Sequence, residues 1–151
     1  MNPRLATLLV LTLTVSSIGI ISWNIPPNVS AASPGTIALI GFFSAWNNTS
    51  TPNPTITVQQ GGTVTIQLSS GDGIVHRFFV DVDKNGPTPD CPGADVCSNA
   101  FTSPTTLTFT VNFASGIYTY YCSVHPTTMI GRFIVLVPPI TGGGGRGMLQ
   151  E

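Results

Sequence analysis

Thr105-Thr106-Leu107-Thr108-Phe109-Thr110-Val111-Asn112-Phe113 alternates almost without fault between apolar and polar residues. Leu107, Phe109, Val111 and Phe113 fall on one side, and Thr106, Thr108, Thr110 and Asn112 on the other. Successive side chains of a strand point to opposite faces, so this period of two predicts a strand with one buried and one solvated face. The same signal recurs on both sides of it. Upstream, Thr36 to Phe43 is apolar and partly β-branched, Thr55 to Gln59 places Ile56 and Val58 together, and Thr63 to Leu68 turns Val64, Ile66 and Leu68 inward after a Gly61-Gly62 turn. Ile74 to Val82 reads as a strand carrying His76. Downstream, Ile117 to Tyr121 and Gly131 to Val137 are strands, the second stopped by Pro138-Pro139. Short alternating strands at regular spacing, with turn residues between them, indicate an all-β sandwich of about seven strands.

Composition narrows the setting. Charged residues make up 7% of the 151-residue chain, against about 25% in an ordinary soluble domain. The surface is therefore built mainly from Thr, Ser, Asn, Gln and Gly. The net charge is −1, and the five bases, Arg4, Arg77, Lys84, Arg132 and Arg146, do not cluster. Nucleic acid is excluded as a partner, because phosphate binding needs a basic face.

The length allows one domain and an N-terminal extension. Residues 1–23 read as a membrane anchor or signal segment, expected as a hydrophobic helix: Leu5 to Trp23 is uncharged and mostly apolar behind Arg4, long enough to span a bilayer. Val29-Ser30-Ala31 and Ser30-Ala31-Ala32 offer small residues for cleavage. The anchor is slightly favoured, and both readings place the remainder outside the cytoplasm. Residues 24–35, with Pro26, Pro27 and Pro34, read as a linker, residues 36–139 as the domain, and residues 140–151 as a flexible Gly-rich tail.

The chemistry concentrates in Tyr121-Cys122-Ser123-Val124-His125-Pro126-Thr127-Thr128-Met129. A thiol, an imidazole and a thioether share one short loop, and the chain's other histidine is His76. Two His, one Cys and one Met form the ligand set of a blue-copper site, with Met as the weak axial ligand. Val124, Pro126 and Ile130 are expected to keep water away, and Pro126 removes one possible N–H donor to the thiolate. Of the three cysteines, Cys91 and Cys97 share a loop rich in Pro, Gly and Asp, where an oxidising compartment would let them bridge. That leaves Cys122 as an odd thiol, either a metal ligand or a free buried cysteine.

With these residues in view, the chain resembles the cupredoxins, the small blue copper proteins related to plastocyanin, amicyanin and pseudoazurin. The similarity runs from about Pro54 to Val137. Ile56-x-Val58-x-x-Gly61-x-x-Val64 is similar to the family's strand and turn ahead of its first histidine. His76-Arg77-Phe78 falls where that histidine is expected, and Tyr120-Tyr121-Cys122 and Met129-Ile130-Gly131 flank the loop as in plastocyanin-like members. The resemblance implies a Greek-key β-sandwich of seven or eight strands. It also implies one type 1 copper ion held by His76, Cys122, His125 and Met129, with electrons passing through the edge of His125. Two departures stand out. The Cys-x2-His-x3-Met spacing is intermediate within the family, and Arg77 occupies a position where many members carry Asn or Ser to restrain the cysteine.

The resulting expectation is a monomeric carrier of single electrons between extracytoplasmic or membrane redox proteins, and not an enzyme. Copper oxidases and nitrite reductases need more histidines, including one where this chain has Tyr121. The alternative is a copper carrier or storage protein on the same fold. A further loop, Asp81-x-Asp83-x-Asn85-Gly86, opens like a calcium-binding loop, but Pro92 stands where its bidentate Glu belongs. Asp90 and Asp95 are possible substitutes, and a solvated acidic turn is the simpler reading.

Overall fold

The protein is described by a computed structural model covering residues 28–30, 35–48 and 53–138. The expected N-terminal helix, most of the linker and the Gly-rich tail lie outside the described residues. Among those residues there is no α-helix. Ten strands follow in order: β1 (Asn28–Ser30), β2 (Gly35–Phe42), β3 (Ala45–Trp46), β4 (Thr55–Gln59), β5 (Thr63–Ser70), β6 (Phe78–Asp81), β7 (Val96–Cys97), β8 (Thr105–Thr110), β9 (Gly116–Cys122) and β10 (Ile130–Leu136). β1, β3 and β7 are short edge pieces absent from the sequence-based expectation, and β1 falls within the expected linker. The others correspond to the expected seven.

The strands form two sheets, ordered β1-β4-β10-β9-β6-β7 and β3-β2-β5-β8. Alternation along each strand decides what lies between them. Ile37 and Leu39 of β2 pair in parallel register with Ile66 and Leu68 of β5, and all four are buried. From the other sheet come Ile56 and Val58 of β4, Phe133 and Val135 of β10, and Tyr118, Tyr120 and Cys122 of β9, all in the same apolar cluster. The result is an all-β sandwich.

The opening stretch behaves as its alternation predicts, with Thr106, Thr108, Thr110 and Asn112 exposed and Val111 fully buried. Leu107 and Phe109 are only partly buried because β8 is an edge strand. The strand stops at Thr110, where Val111 leaves β5 and exchanges hydrogen bonds with the turn instead: Val111 N–H donates to the Gly62 carbonyl at 2.9 Å and Gly61 N–H to the Val111 carbonyl at 2.8 Å.

Tyr120 fixes the middle of the first sheet. Its ring lies across Gly131, its cross-strand partner on β10, and its hydroxyl donates to the Pro54 carbonyl at 2.7 Å. Burial raises the phenol's pKa, so the hydroxyl stays a donor. A Cβ at position 131 would run into the Tyr120 ring. Gly131→Ala is expected to destabilise the domain by about 2 kcal/mol through overpacking, read as a lowered midpoint in chemical denaturation.

Candidate metal centre

Two strand ends and one loop build the site. β9 ends at Cys122, which lies opposite Phe78 of β6, so its thiol turns into the core, where it is fully buried. The strand expected from Ile74 to Val82 is shorter than its sequence suggests and runs from Phe78 to Asp81. Before Phe78 there is no β9 left to pair with, because that chain has entered the loop. His76 instead bridges Phe101: His76 N–H donates to the Phe101 carbonyl at 2.9 Å, and Phe101 N–H donates back at 2.8 Å. Two residues before Phe78, His76 shares its inward face, and the imidazole is fully buried.

The loop from Cys122 to Met129 is closed at its neck by Cys122 N–H donating to the Met129 carbonyl at 3.0 Å. His125 N–H donates to the Cys122 carbonyl at 3.1 Å, and Met129 N–H to the His125 carbonyl at 3.1 Å. This folds the loop over so that His125 returns above the cysteine. Tyr121 pairs with Ile130, which places Met129 opposite Cys122 on the inward side, and Met129 is fully buried.

The His76, Cys122 and His125 ligand atoms all lie within 4.8 Å of one another. Cys122 Sγ is 3.7 Å from His76 Nδ1 and 3.7 Å from His125 Nδ1. These distances test the fit to a metal. Bonds of about 2.0 Å to nitrogen and 2.3 Å to sulfur, opened at the trigonal angle, put N and S about 3.7 Å apart. The sulfur therefore stands from each imidazole nitrogen at the separation that one trigonally held ion requires. Among the described residues no backbone N–H donates to Sγ, in keeping with Pro126 in the loop.

The surroundings hold these donors in place. The backbone of Gly41 faces the His76 ring so closely that a Cβ there would come within 2.8 Å of its Cγ and Cδ2. Trp46 and Phe101 flank the same imidazole, with ring centroids 6.1 and 6.0 Å away. Asn53 clamps the loop from outside, its amide donating to the Thr128 carbonyl at 2.9 Å while its oxygen accepts from Trp46 N–H at 2.7 Å. Arg77 does not point freely to solvent. Its Nε donates to the Ser98 carbonyl at 3.1 Å, and its own carbonyl accepts from Ser123 N–H at 3.0 Å, tying the cysteine's neighbour to the histidine's. The expected apolar screen differs in membership. Val124 and Ile130 are exposed, Ile130 because it alternates outward from Met129 and Val124 because it lies in the loop beyond the end of β9, and the dry side is made by the core aromatics. His125 is half-buried against Phe43 at 5.0 Å. Burial, followed by the neighbouring His76, lowers its pKa, with a partial counter-effect from Asp72, which favours the neutral imidazole that a metal binds.

Asp72 was missed from sequence. Asp72, in the Gly71-Asp72-Gly73 turn after β5, accepts a hydrogen bond from His76 Nε2 at 3.0 Å. Desolvation pushes this carboxyl up, but hydrogen bonds from His76, Ile74 N–H, Ser70 and Phe43 N–H outweigh it and hold the group well below the usual carboxylate range. An acid flanked by two glycines shortly before the histidine was the available signal, and a turn was the ordinary reading of it.

Cys91 and Cys97 form the expected disulfide, and Cys122 is free and buried. Asp81, Asp83 and Asp95 also converge, yet the acidic turn is less solvated than expected. Asp81 and Asp95 are buried, with their oxygens taken by N–H groups of Asn85, Gly86, Val82 and Asp90; Asp83 alone of the three is exposed.

No family model matches the chain, and no curated protein matches it in sequence. Solved structures do match in shape. Auracyanin A, a "blue" copper protein from Chloroflexus aurantiacus, is 23% identical over 69% of this chain and 100% of its own, with a TM-score of 0.52. Auracyanin from Roseiflexus castenholzii is 20% identical over 69% of this chain and 98% of its own, with a TM-score of 0.52. A rusticyanin variant is 20% identical over 72% of this chain and 82% of its own, with a TM-score of 0.54. The domain has the cupredoxin fold.

Gly41→Ala is expected to leave the sandwich folded but displace the His76 ring, weakening copper binding about tenfold or more in a chelator-competition titration.

Proposed function

We propose that this protein is a mononuclear blue copper protein that carries single electrons outside the cytoplasm, with His76, Cys122 and His125 as equatorial ligands and Met129 as the axial one. The observation that carries the reading is the convergence of one thiol sulfur and two Nδ1 atoms, each 3.7 Å from the sulfur. A bound copper ion would supply the one-electron couple; the chain's own residues do the rest. Cys122 and the histidines are fixed before metal arrives, so little of the protein need rearrange when the oxidation state changes. The thiolate-imidazole set suits copper better than harder ions. Burial of Cys122 and Met129, together with the absence of N–H donors to Sγ among the described residues, favours the less charged reduced state.

Access is one-sided. His76 is sealed in the core while His125 reaches the surface beside Phe43, itself 62% exposed. Electrons are therefore assigned to the His125 edge, and redox partners to the uncharged surface that Phe43 and Val124 share with it. Both histidines are committed to this one site, leaving no imidazole for a second metal, so the reading is of a carrier and not of an enzyme. The Cys91–Cys97 disulfide supports an oxidising compartment. Membrane attachment through residues 1–23 and a monomeric state complete the proposal.

The deciding measurement is the visible spectrum of the copper-loaded protein. An intense thiolate-to-copper band that bleaches and returns on reversible redox cycling is expected. A protein that binds copper but cannot be cycled would be a carrier or store. Cys122→Ser is expected to abolish the band while leaving the circular dichroism of the sandwich intact. Met129→Leu is expected to retain copper and raise the potential; an unchanged potential and spectrum would remove Met129 from the ligand set.

A further inference from the structure

The outer nitrogen of the buried histidine has a charged partner, and that partner has a consequence for the metal. Asp72 Oδ1 lies 3.0 Å from His76 Nε2. The same oxygen accepts from Ile74 N–H at 3.0 Å and from the Ser70 hydroxyl at 3.0 Å. The Ser70 hydroxyl also reaches the Ile74 carbonyl at 3.0 Å. The turn therefore grips the carboxylate through its own backbone and offers it to the imidazole. The Asp72 side chain is 21% exposed and that of His76 fully buried, so the contact is shielded over most of its surface.

A carboxylate only accepts hydrogen bonds. At 3.0 Å from it, Nε2 must carry a proton, so in the neutral ring that binds a metal the bare lone pair falls on Nδ1. Nδ1 is the atom directed at Cys122 Sγ, 3.7 Å away. We infer that Asp72 is a positioning residue: it locks His76 in the one neutral tautomer that can bind metal, and its negative charge biases the site toward the more highly charged, oxidised ion. This rests on the copper reading above for its second half only. A carboxylate behind a ligating imidazole fixes the ring and strengthens its donor nitrogen. The lack of N–H donors to Sγ among the described residues pushes the potential up, and Asp72 pulls it back from the far side of the imidazole.

Two variants separate the parts. Asp72→Asn keeps an oxygen that can accept from Nε2–H and from Ile74 N–H but removes the charge. Asp72→Ala removes both. Nitrogen-15 NMR of the metal-free protein reads the tautomer directly. His76 is expected as the Nε2–H form in the wild type and in Asp72→Asn, and as a mixture in Asp72→Ala. With copper loaded, Asp72→Asn is expected to favour the reduced over the oxidised ion about tenfold more than wild type does, a rise in potential of about 59 mV for a one-electron couple. If Asp72→Ala keeps the pure Nε2–H tautomer, the positioning role is overturned. If Asp72→Asn and the wild type share one potential, the electrostatic role is overturned, and Asp72 is a turn residue alone. Should the wild type bind no copper, the proposed function falls, while the NMR comparison still decides whether Asp72 sets the tautomer.

Discussion

The site depends on one hydrogen bond more than on any other contact, that from Cys122 N–H to the Met129 carbonyl. It closes the neck of the loop and carries the β9–β10 ladder one pair beyond Tyr121 and Ile130. Everything between the two residues must then turn back within six positions, and the His125 backbone completes that turn by bonding to both ends. The inward direction of Cys122 and Met129 follows from the same bond, since facing residues of an antiparallel pair share a side. The pleat thus turns Cys122 and Met129 inward and Ile130 outward, while His125 is brought back to the cysteine by the loop's own hydrogen bonds.

The second half of the site comes from a strand that fails to extend. β6 begins only where β9 can pair with it, and the residues ahead of it are taken over by Phe101 and by the glycine-flanked turn at Asp72. That change of partner lets a buried histidine sit at the rim of the sheet without orphaning its backbone, a condition every buried peptide group must meet. The segment supplying the new partner follows directly after the disulfide. Ser98 receives Phe78 N–H on its hydroxyl and Arg77 Nε on its carbonyl, so a short covalent clip braces the base of the histidine.

Most of the architecture could be read from alternation alone, because strands with one wet face write their period into the sequence. Residues 105–113 and Val64, Ile66 and Leu68 fell on the expected sides. The limits of strands were harder. The run from Ile74 to Val82 reads as one strand carrying His76, yet pairing starts only at Phe78, because it depends on a partner distant in sequence. The candidate ligands stand out because His, Cys and Met are scarce in this chain. Asp72, Gly41 and Asn53 did not, because their roles depend on what folding brings beside them: an acid, a glycine and an asparagine in turns are ordinary until an imidazole or a loop carbonyl arrives.

The order of strands in the first sheet has a consequence for biosynthesis. β10 is the last described strand along the chain, yet it lies between β4 and β9. Until it emerges, β1 and β4 have no link to β9, β6 and β7, and the sheet exists as two unconnected fragments. The ligand loop leads directly into that strand. A nascent chain can therefore pair β9 with β6 but cannot close the neck of the loop, from Cys122 N–H to the Met129 carbonyl, against a finished ladder until β10 has been made. The last described strand is thus the one that joins the two fragments into one sheet and shuts the loop above the buried cysteine.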